Sequence, residues 1–544
     1  MKRFFLLLAA AFTVAASCTK PEPEPLPRAM ILSVWVDAKQ VPDGGSVGDV
    51  SLSPQIKVEF SRAVTIDEIS VATVSFSGGA VKCEADASEA SVLVFTPEAK
   101  LNPSSKYRFG IAAGETFGVD LIEGFTFSFV TGYDMSDKFP RISTEELLTK
   151  VQGQTFRYFW DYAHPVSGLA RERLGSDETV AIGGSGFGIM TLPVGVERGF
   201  ITRAQAAERL RTIVNFLGTK AERFHGAYPH WMNGSTGKTI PFSAKDNGGD
   251  LIETSFLIEG LLAAAGYFDR PEEEDIRSGI DAIWRGVEWD WYTRGGQDVL
   301  YWHWSPNNEW AMNMQINGWN EGLIAYVLAA SSPTHPVPAS VYHKGWARSG
   351  GIKNGKTFYG IKLPLGSDLG GPMFFAHYSF MGLDPRGLKD TYADYWEQNV
   401  AHAKINHAYC AANPKGRSGY SSTCWGLTAS DIPNGYTASS PSNDKGVIAP
   451  TAALASMPYT PEESIAAMET FYYAFGDRLW GEYGFYDAFS LDAAWFAKSC
   501  IAIDQGPIVV MMENYRTGLL WECFMKHSDI AAGLVKLGFS SPAL

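Results

Sequence analysis

The sequence predicts a multidomain chain, with an N-terminal β-sandwich followed by a larger all-α unit in which helix pairs close into a toroid. Three observations lead there. Between residues 30 and 132, short apolar runs with period-two alternation are separated by turn residues, whereas beyond residue 142 the apolar residues recur at helical spacing. Strand–helix alternation is absent, as is a GxGxxG motif, which argues against a nucleotide-binding α/β fold. The 544 residues, 45% of them hydrophobic, suffice for more than one buried core. With 45 Lys and Arg against 59 Asp and Glu, the formal charge is -14, a field that repels phosphate backbones and argues against nucleic acid as a partner.

Residues 1–17 have the layout of a secretory signal. Lys2 and Arg3 precede an apolar run over 4–14, too short to span a bilayer, and Ala15, Ala16 and Ser17 follow. Cys18, directly after these small residues, resembles the lipidated cysteine of a bacterial lipoprotein. The expected location is therefore the bacterial cell envelope, lipid-anchored to the outer membrane on its periplasmic or surface face, with no other membrane contact. Residues 18–29, where Pro and Glu alternate, read as an extended tether. Cys83, Cys410, Cys424, Cys500 and Cys523 include no CxxC pair, so neither a zinc site nor a disulfide framework is indicated. The spacing of Cys410 and Cys424 permits a bridge across a loop without requiring one.

In the sandwich, residues 31–36, 56–60, 71–76, 91–95, 107–111 and 125–130 read as strands, out of roughly seven in all. Ile56, Val58 and Phe60 alternate with Lys57 and Glu59, which puts one face in a core and the other in water. This stretch resembles bacterial Ig-like modules, and it shows no Trp cluster on a strand face, so a spacer role is expected. Residues 133–141 read as a linker to the unit at 142–544. There, Ser143-Thr144-Glu145-Glu146 ahead of Leu147, Leu148, Val151 and Phe156 gives a helix cap followed by apolar residues at helical spacing. Further helices are expected at 202–217, 250–267, 271–287, 318–330, 388–407, 461–475 and 529–537. The loops at 332–373 and 413–449 are expected to shape one open cleft.

The chemistry concentrates in this unit. Fifteen of the 16 Trp lie beyond residue 159, and aromatic faces pack well against the C–H faces of neutral sugars. Trp302, Trp304 and Trp310, in a polar, turn-rich run, together with Trp319 and Trp425, are expected as substrate platforms, core packing being the alternative for any one of them. His230, Arg171, Glu513 and Arg516 are candidate polar contacts, although Arg516 could simply pair with Glu513. Asp246, Asp250 and Glu253 stand at i, i+4 and i+7, so they gather near one helix N-terminus if Asp250 opens the helix. Grouped carboxylates push one another's pKa values apart, which lets one hold a proton while another stays ionised. Glu321, Asp431 and Asp487 are further acids set among aromatics and glycines. Glycosidic cleavage needs such an acid and base pair. The unit at 142–544 contains neither GxSxG nor HExxH, the histidines are scattered, and no metal or cofactor is predicted.

The segments at 155–160 and 163–173, the run Gly183-Gly184-Ser185-Gly186-Phe187-Gly188, residues 246–255 and the Trp319-Asn320-Glu321 turn together resemble the bacterial glucoamylase-like proteins of glycoside hydrolase family 144. The likeness covers residues 143–539. It implies an (α/α)6 barrel that hydrolyses β-1,2-glucan by an inverting mechanism, whether endo or by exo release of sophorose, without a cofactor. The older name, glucoamylase, implies starch instead. The resemblance also carries Asp246, Asp250 and Glu253 over to the family's acidic cluster and Glu321 to an acidic position of its cleft. Glu321 is the expected general acid, and a carboxylate across the cleft, with Asp487 and Asp431 as candidates beyond the cluster, the expected base. Two readings from other classes compete. One is a glycan-binding lipoprotein without catalysis, and the other a polysaccharide lyase, for which this acidic chain offers few of the cations that a uronate requires.

Overall fold

A computed structural model describes residues 24–544, so the expected signal and Cys18 lie outside the described residues. The chain divides into two compact units, one running through Asn102 and including Tyr107–Phe129, the other comprising Pro103–Lys106 and Val130–Leu544.

The first unit is built from β1 (Arg28–Ala29), β2 (Ile31–Val36), β3 (Lys39–Gln40), β4 (Ser46–Val50), β5 (Ile56–Phe60), β6 (Val74–Phe76), β7 (Val81–Ala85), β8 (Val92–Pro97), β9 (Lys106–Ile111), β10 (Gly114–Thr116), β11 (Val119–Leu121) and β12 (Phe125–Thr131). A five-stranded sheet ordered β3-β2-β5-β8-β7 and a four-stranded sheet ordered β4-β12-β9-β6 are joined by a small third sheet, β1-β11-β10. In β5, Ile56, Val58 and Phe60 are buried as their alternation requires, with Phe95 and Leu93 of β8 opposite the first two. Phe109, Phe127 and Phe129 of the four-stranded sheet complete the core. Burial of each such side chain stabilises by about 1.5–3 kcal/mol. The strand expected at 71–76 starts only at Val74, because Asp67 accepts the Ser70 N–H and caps a short helix, α1 (Glu68–Ala72).

The second unit holds α2 (Thr144–Trp160), α3 (Ile182–Glu197), α4 (Arg203–Thr219), α5 (Leu251–Tyr267), α6 (Glu274–Arg285), α7 (Leu323–Ser331), α8 (Tyr395–Ala412), α9 (Pro450–Leu454), α10 (Pro461–Glu469), α11 (Gly476–Leu479), α12 (Ala502–Arg516), α13 (Leu519–Met525) and α14 (Ser528–Lys536). The Ser143–Glu146 capping box opens α2 as its sequence requires. Two kinds of helix are present. α4, α6 and α14 bury one stripe and expose the rest, whereas α3, α5, α7 and α12 are buried along nearly their whole length.

Neither α3 nor α12 is anticipated by helical periodicity. A helix buried on every side has no polar face to mark its period, and α3 also carries five glycines and Pro193, which disfavour helix locally. Tertiary contact supplies the reason. A Cβ on Gly186 would lie 2.2 Å from the Phe256 carbonyl oxygen, and one on Gly260 would lie 2.1 Å from the Gly186 oxygen, so α3 and α5 meet backbone to backbone. Elsewhere α7 starts at Leu323 rather than 318, and α8 at Tyr395 rather than 388, where Asp394 accepts the Glu397 N–H. Cys410 and Cys424 are buried free thiols, so the permitted bridge is not formed.

Candidate active site

The N-terminal ends of four buried helices converge on one cavity of about 440 Å3. Its wall includes Ala181 ahead of α3, Ile252 and Glu253 of α5, Glu321 ahead of α7, and Ile501 and Ile503 at the start of α12. Helix N-termini present unpaired N–H groups and positive dipole ends, so this is where the fold best tolerates buried carboxylates. The other walls come from Glu172 and Arg173, His230 and Trp231, Phe374 and Tyr378, and the hairpin that carries Tyr436.

Asp250 is the cap of α5. Its Oδ1 accepts the Ile252 and Glu253 N–H groups at 3.0 Å each, and its Oδ2 lies 2.9 Å from His230 Nδ1. Glu253, one turn on, points back to the start of α3, where Oε2 accepts the Gly183 N–H at 2.7 Å. Only glycine fits there, since a Cβ on residue 183 would sit 2.6 Å from that oxygen. Asp246 approaches from the preceding loop, with its oxygens 3.7 Å from His230 Nδ1 and 3.4 Å from His303 Nε2. It is almost fully buried, and neither carboxylate oxygen has a hydrogen-bond partner among the described residues. His303 reaches it because β13 (Gly249–Asp250) pairs with β14 (His303–Trp304). Burial opposes a charge on His230, but Glu253, Asp250 and Asp246 outweigh it and raise the imidazolium to about 9. Burial, then the charge of Asp250, pushes Asp246 up to about 7. Burial likewise raises Glu253 against the pull of His230. His230, Asp246 and Asp250 also offer one ligand atom each within 4.8 Å of one another, so the same residues could hold a cation.

Glu321 sits in the turn before α7. Asn320 Oδ1 accepts the Gly322 N–H at 2.8 Å and shapes that turn, while the Glu321 carbonyl accepts the Ser379 hydroxyl. Its carboxyl lines the cavity with no cation beside it among the described residues, and burial raises it to about 7. On another wall, Arg173 Nε reaches both Glu172 oxygens at 3.1 and 3.0 Å, and its Nη1 reaches Asp431 at 3.2 and 3.3 Å. The Ser499 hydroxyl donates to Asp431 at 2.5 Å. Behind Asp431, Asp487 accepts the Asp431 N–H at 2.7 Å. Burial raises Asp487 to about 7 and Asp504 well above the usual carboxylate range; the charge of Asp431 raises both further, and that of Asp487 adds to the rise of Asp504.

Of the expected site residues, the cavity gathers His230, Glu253 and Glu321 directly, Asp246 and Asp250 through His230, and Asp431 and Asp487 through Arg173. Others go elsewhere. Trp425 is fully buried, donating to the Glu463 carbonyl at 3.1 Å, and Trp319 is nearly so, its N–H 3.3 Å from His402 Nδ1, which makes both core residues. Trp302, Trp304 and Trp310 pack partly buried against the core and do not line this cavity. Arg171 stacks on Tyr162 and binds the Tyr162 and Asp177 carbonyls. Glu513 is clamped by Arg198 through two 2.7 Å bonds, and Arg516 binds Gln152 and Glu145. Both brace α2 against α12, because a buried carboxylate needs a cation wherever the fold supplies one. The sequence reading missed Glu172, Arg173, Trp231, Tyr378, Tyr436 and Asp504. Glu172 and Arg173 lie within the segment at 163–173, but nothing local separates Arg173 from Arg171.

Comparison with known proteins gives a consistent picture. Residues 313–528 match the family model Glycoamylase, described as "Putative glucoamylase", and residues 38–131 match a bacterial Ig-like domain. An exo β-1,2-glucooligosaccharide sophorohydrolase (non-reducing end) of Parabacteroides distasonis is 46% identical over 75% of this chain; the chain spans 59% of that protein's length. A crystal structure of a "putative glucoamylase" from Bacteroides uniformis is 62% identical, covering 75% of this chain and all of its own, with a TM-score of 0.73. The endo-β-1,2-glucanase of Chitinophaga pinensis, solved with sophorotriose and glucose, is 54% identical over 74% of this chain and all of its own, again with a TM-score of 0.73.

Proposed function

The chain belongs to the bacterial glucoamylase-like proteins of glycoside hydrolase family 144, and from that membership we propose that it hydrolyses β-1,2-glucan by inverting acid/base chemistry in the cavity at the helix N-termini. The observation that carries this reading is Glu321. A carboxyl that faces a cavity, lacks a cation and is raised to about 7 is protonated in about half of the molecules at pH 7 and in most below it, which is what protonation of a leaving glycosidic oxygen needs. The base is Asp431, an ion-paired carboxylate fixed by Arg173 and Ser499, rather than Asp487, which is buried, raised to about 7 and engaged by the Asp431 N–H. The cations of the cavity, Arg173 and His230, are already engaged by carboxylates, which suits a neutral sugar and not a uronate.

The two kinds of helix, buried inside and amphipathic outside, support an (α/α)6 barrel. Cys18 and the tether support a lipoprotein of the cell envelope. Chromatography of products from protein lacking residues 1–18, incubated with linear β-1,2-glucan, starch and laminarin, tests the reading. Sophorose alone from β-1,2-glucan means exo action, a ladder of oligosaccharides means endo action, and NMR of the first product gives the anomer that inversion requires. Glucose from starch would restore the glucoamylase reading, and no product from any polymer would favour a binding protein.

A further inference from the structure

Aromatic residues that the catalytic cavity leaves aside gather at a second place. A surface cavity of about 500 Å3, sharing no lining residue with the catalytic one, is bordered by Trp291, Trp310, Asp290, Glu288, Arg294 and His335. Trp291 is 38% exposed, unusual for so large an apolar side chain. It is rigidly held. His225 stacks on its indole at 3.6 Å with an interplanar angle of 14°, and the Trp304 ring abuts it edge-on at 5.7 Å. Trp310 stands 6.3 Å away at 30°. Around these rings the charges are mixed: Asp290 shares one oxygen with His335 at 3.1 Å, and Arg294 spends one nitrogen on Asn313. Fixed flat rings beside polar groups of both signs suit a neutral, hydroxyl-rich ligand better than an ion or a peptide.

We propose that this cavity is a second carbohydrate site, holding a segment of neutral glucan outside the catalytic cavity. It rests on the hydrolase reading in taking the same polymer as ligand. The two residues of β14 make one contact towards each place: His303 faces Asp246, while Trp304 packs on Trp291. Polymer bound at Trp291 raises the local concentration of chain for the catalytic cavity, with no effect on a short oligosaccharide that cannot span both.

The test uses native affinity gels with embedded β-1,2-glucan, run with Glu321→Gln protein to prevent digestion. Adding Trp291→Ala is expected to weaken affinity about tenfold, the order of one aromatic stacking contact; Trp291→Phe, which keeps a ring on His225, should lose less. With Glu321 intact, Trp291→Ala should keep its kcat/KM on a short sophoro-oligosaccharide within about twofold, which also shows that it folds. Equal retardation with and without Trp291 would overturn the inference while leaving the hydrolase reading standing. So would an equal loss of turnover on short and long substrates in both variants. Trp291-dependent retardation by a parent enzyme that cleaves no glucan would instead retain this site and sink the hydrolase reading.

Discussion

Replacing Glu321 with Gln removes one proton and almost nothing else, and it should act in opposite directions on activity and on stability. Loss of a general acid typically costs about 10²–10⁴ in turnover. The stability effect follows from burial. The carboxyl is raised from 4.5 to about 7, so the folded chain holds its proton more tightly than the unfolded chain does. Stability therefore falls as pH rises from 4.5 to 7 and stays low above that, by about 1.4 kcal/mol per pH unit and about 3 kcal/mol in all. Glu321→Gln escapes this loss. At about 2.1 cal/mol/K per residue, 3 kcal/mol in a unit of about four hundred residues is worth roughly 3–4 °C in melting temperature. Calorimetric melts of both proteins at pH 5 and pH 8.5 should show the gain only at the higher pH. Turnover of β-1,2-glucan by the parent should fall about tenfold per pH unit above 7, a limb that the residual activity of the variant lacks. Turnover within tenfold of the parent, or melts that differ equally at both pH values, would refute the assignment.

Other perturbations separate the site from its scaffold. His230→Asn removes the imidazolium that three carboxylates share; that stabilisation is complete below pH 6.5 and lost as pH rises through about 9, so the melting deficit, on the order of 3 kcal/mol, should be largest at pH 6 and shrink towards pH 10. Asp431→Asn should abolish most turnover without lowering the melting temperature by more than a few degrees, and partial rescue of cleavage by added azide, read as a glycosyl azide product, would mark it as the base. Gly186→Ala places a methyl 2.2 Å from the Phe256 carbonyl oxygen, so a loss above about 3 kcal/mol, or failure to accumulate as soluble protein, is expected.

How far the sequence reveals this molecule differs between its parts. In β5 the alternation of Ile56, Val58 and Phe60 is also its burial pattern, and the Ser143 and Thr202 caps open α2 and α4 where their side chains can bond the third backbone N–H. Such signals survive because they are local. The acids at 246, 250 and 253 are legible for the same reason: one of them caps the helix, which fixes the direction of the others. The tryptophans mislead, because an indole serves a core and a sugar platform equally well and only its exposure separates the two. Trp425 is fully buried and Trp291 is not, yet both lie in turn-rich sequence.

The sequence by itself therefore determined the two units, the outer amphipathic helices, one acidic cluster and the neutral, sugar-suited chemistry of the chain, all of which depend on residues close together along it. Tertiary structure alone decided which helices are innermost, since α3 and α12 gain from backbone contact what their glycines and prolines lose in propensity. It also brought Arg173 of the cavity wall to Asp431, 258 residues away in sequence. And it set the acid's proton, because the raised pKa of Glu321 arises from burial among helices that the residues around it do not encode.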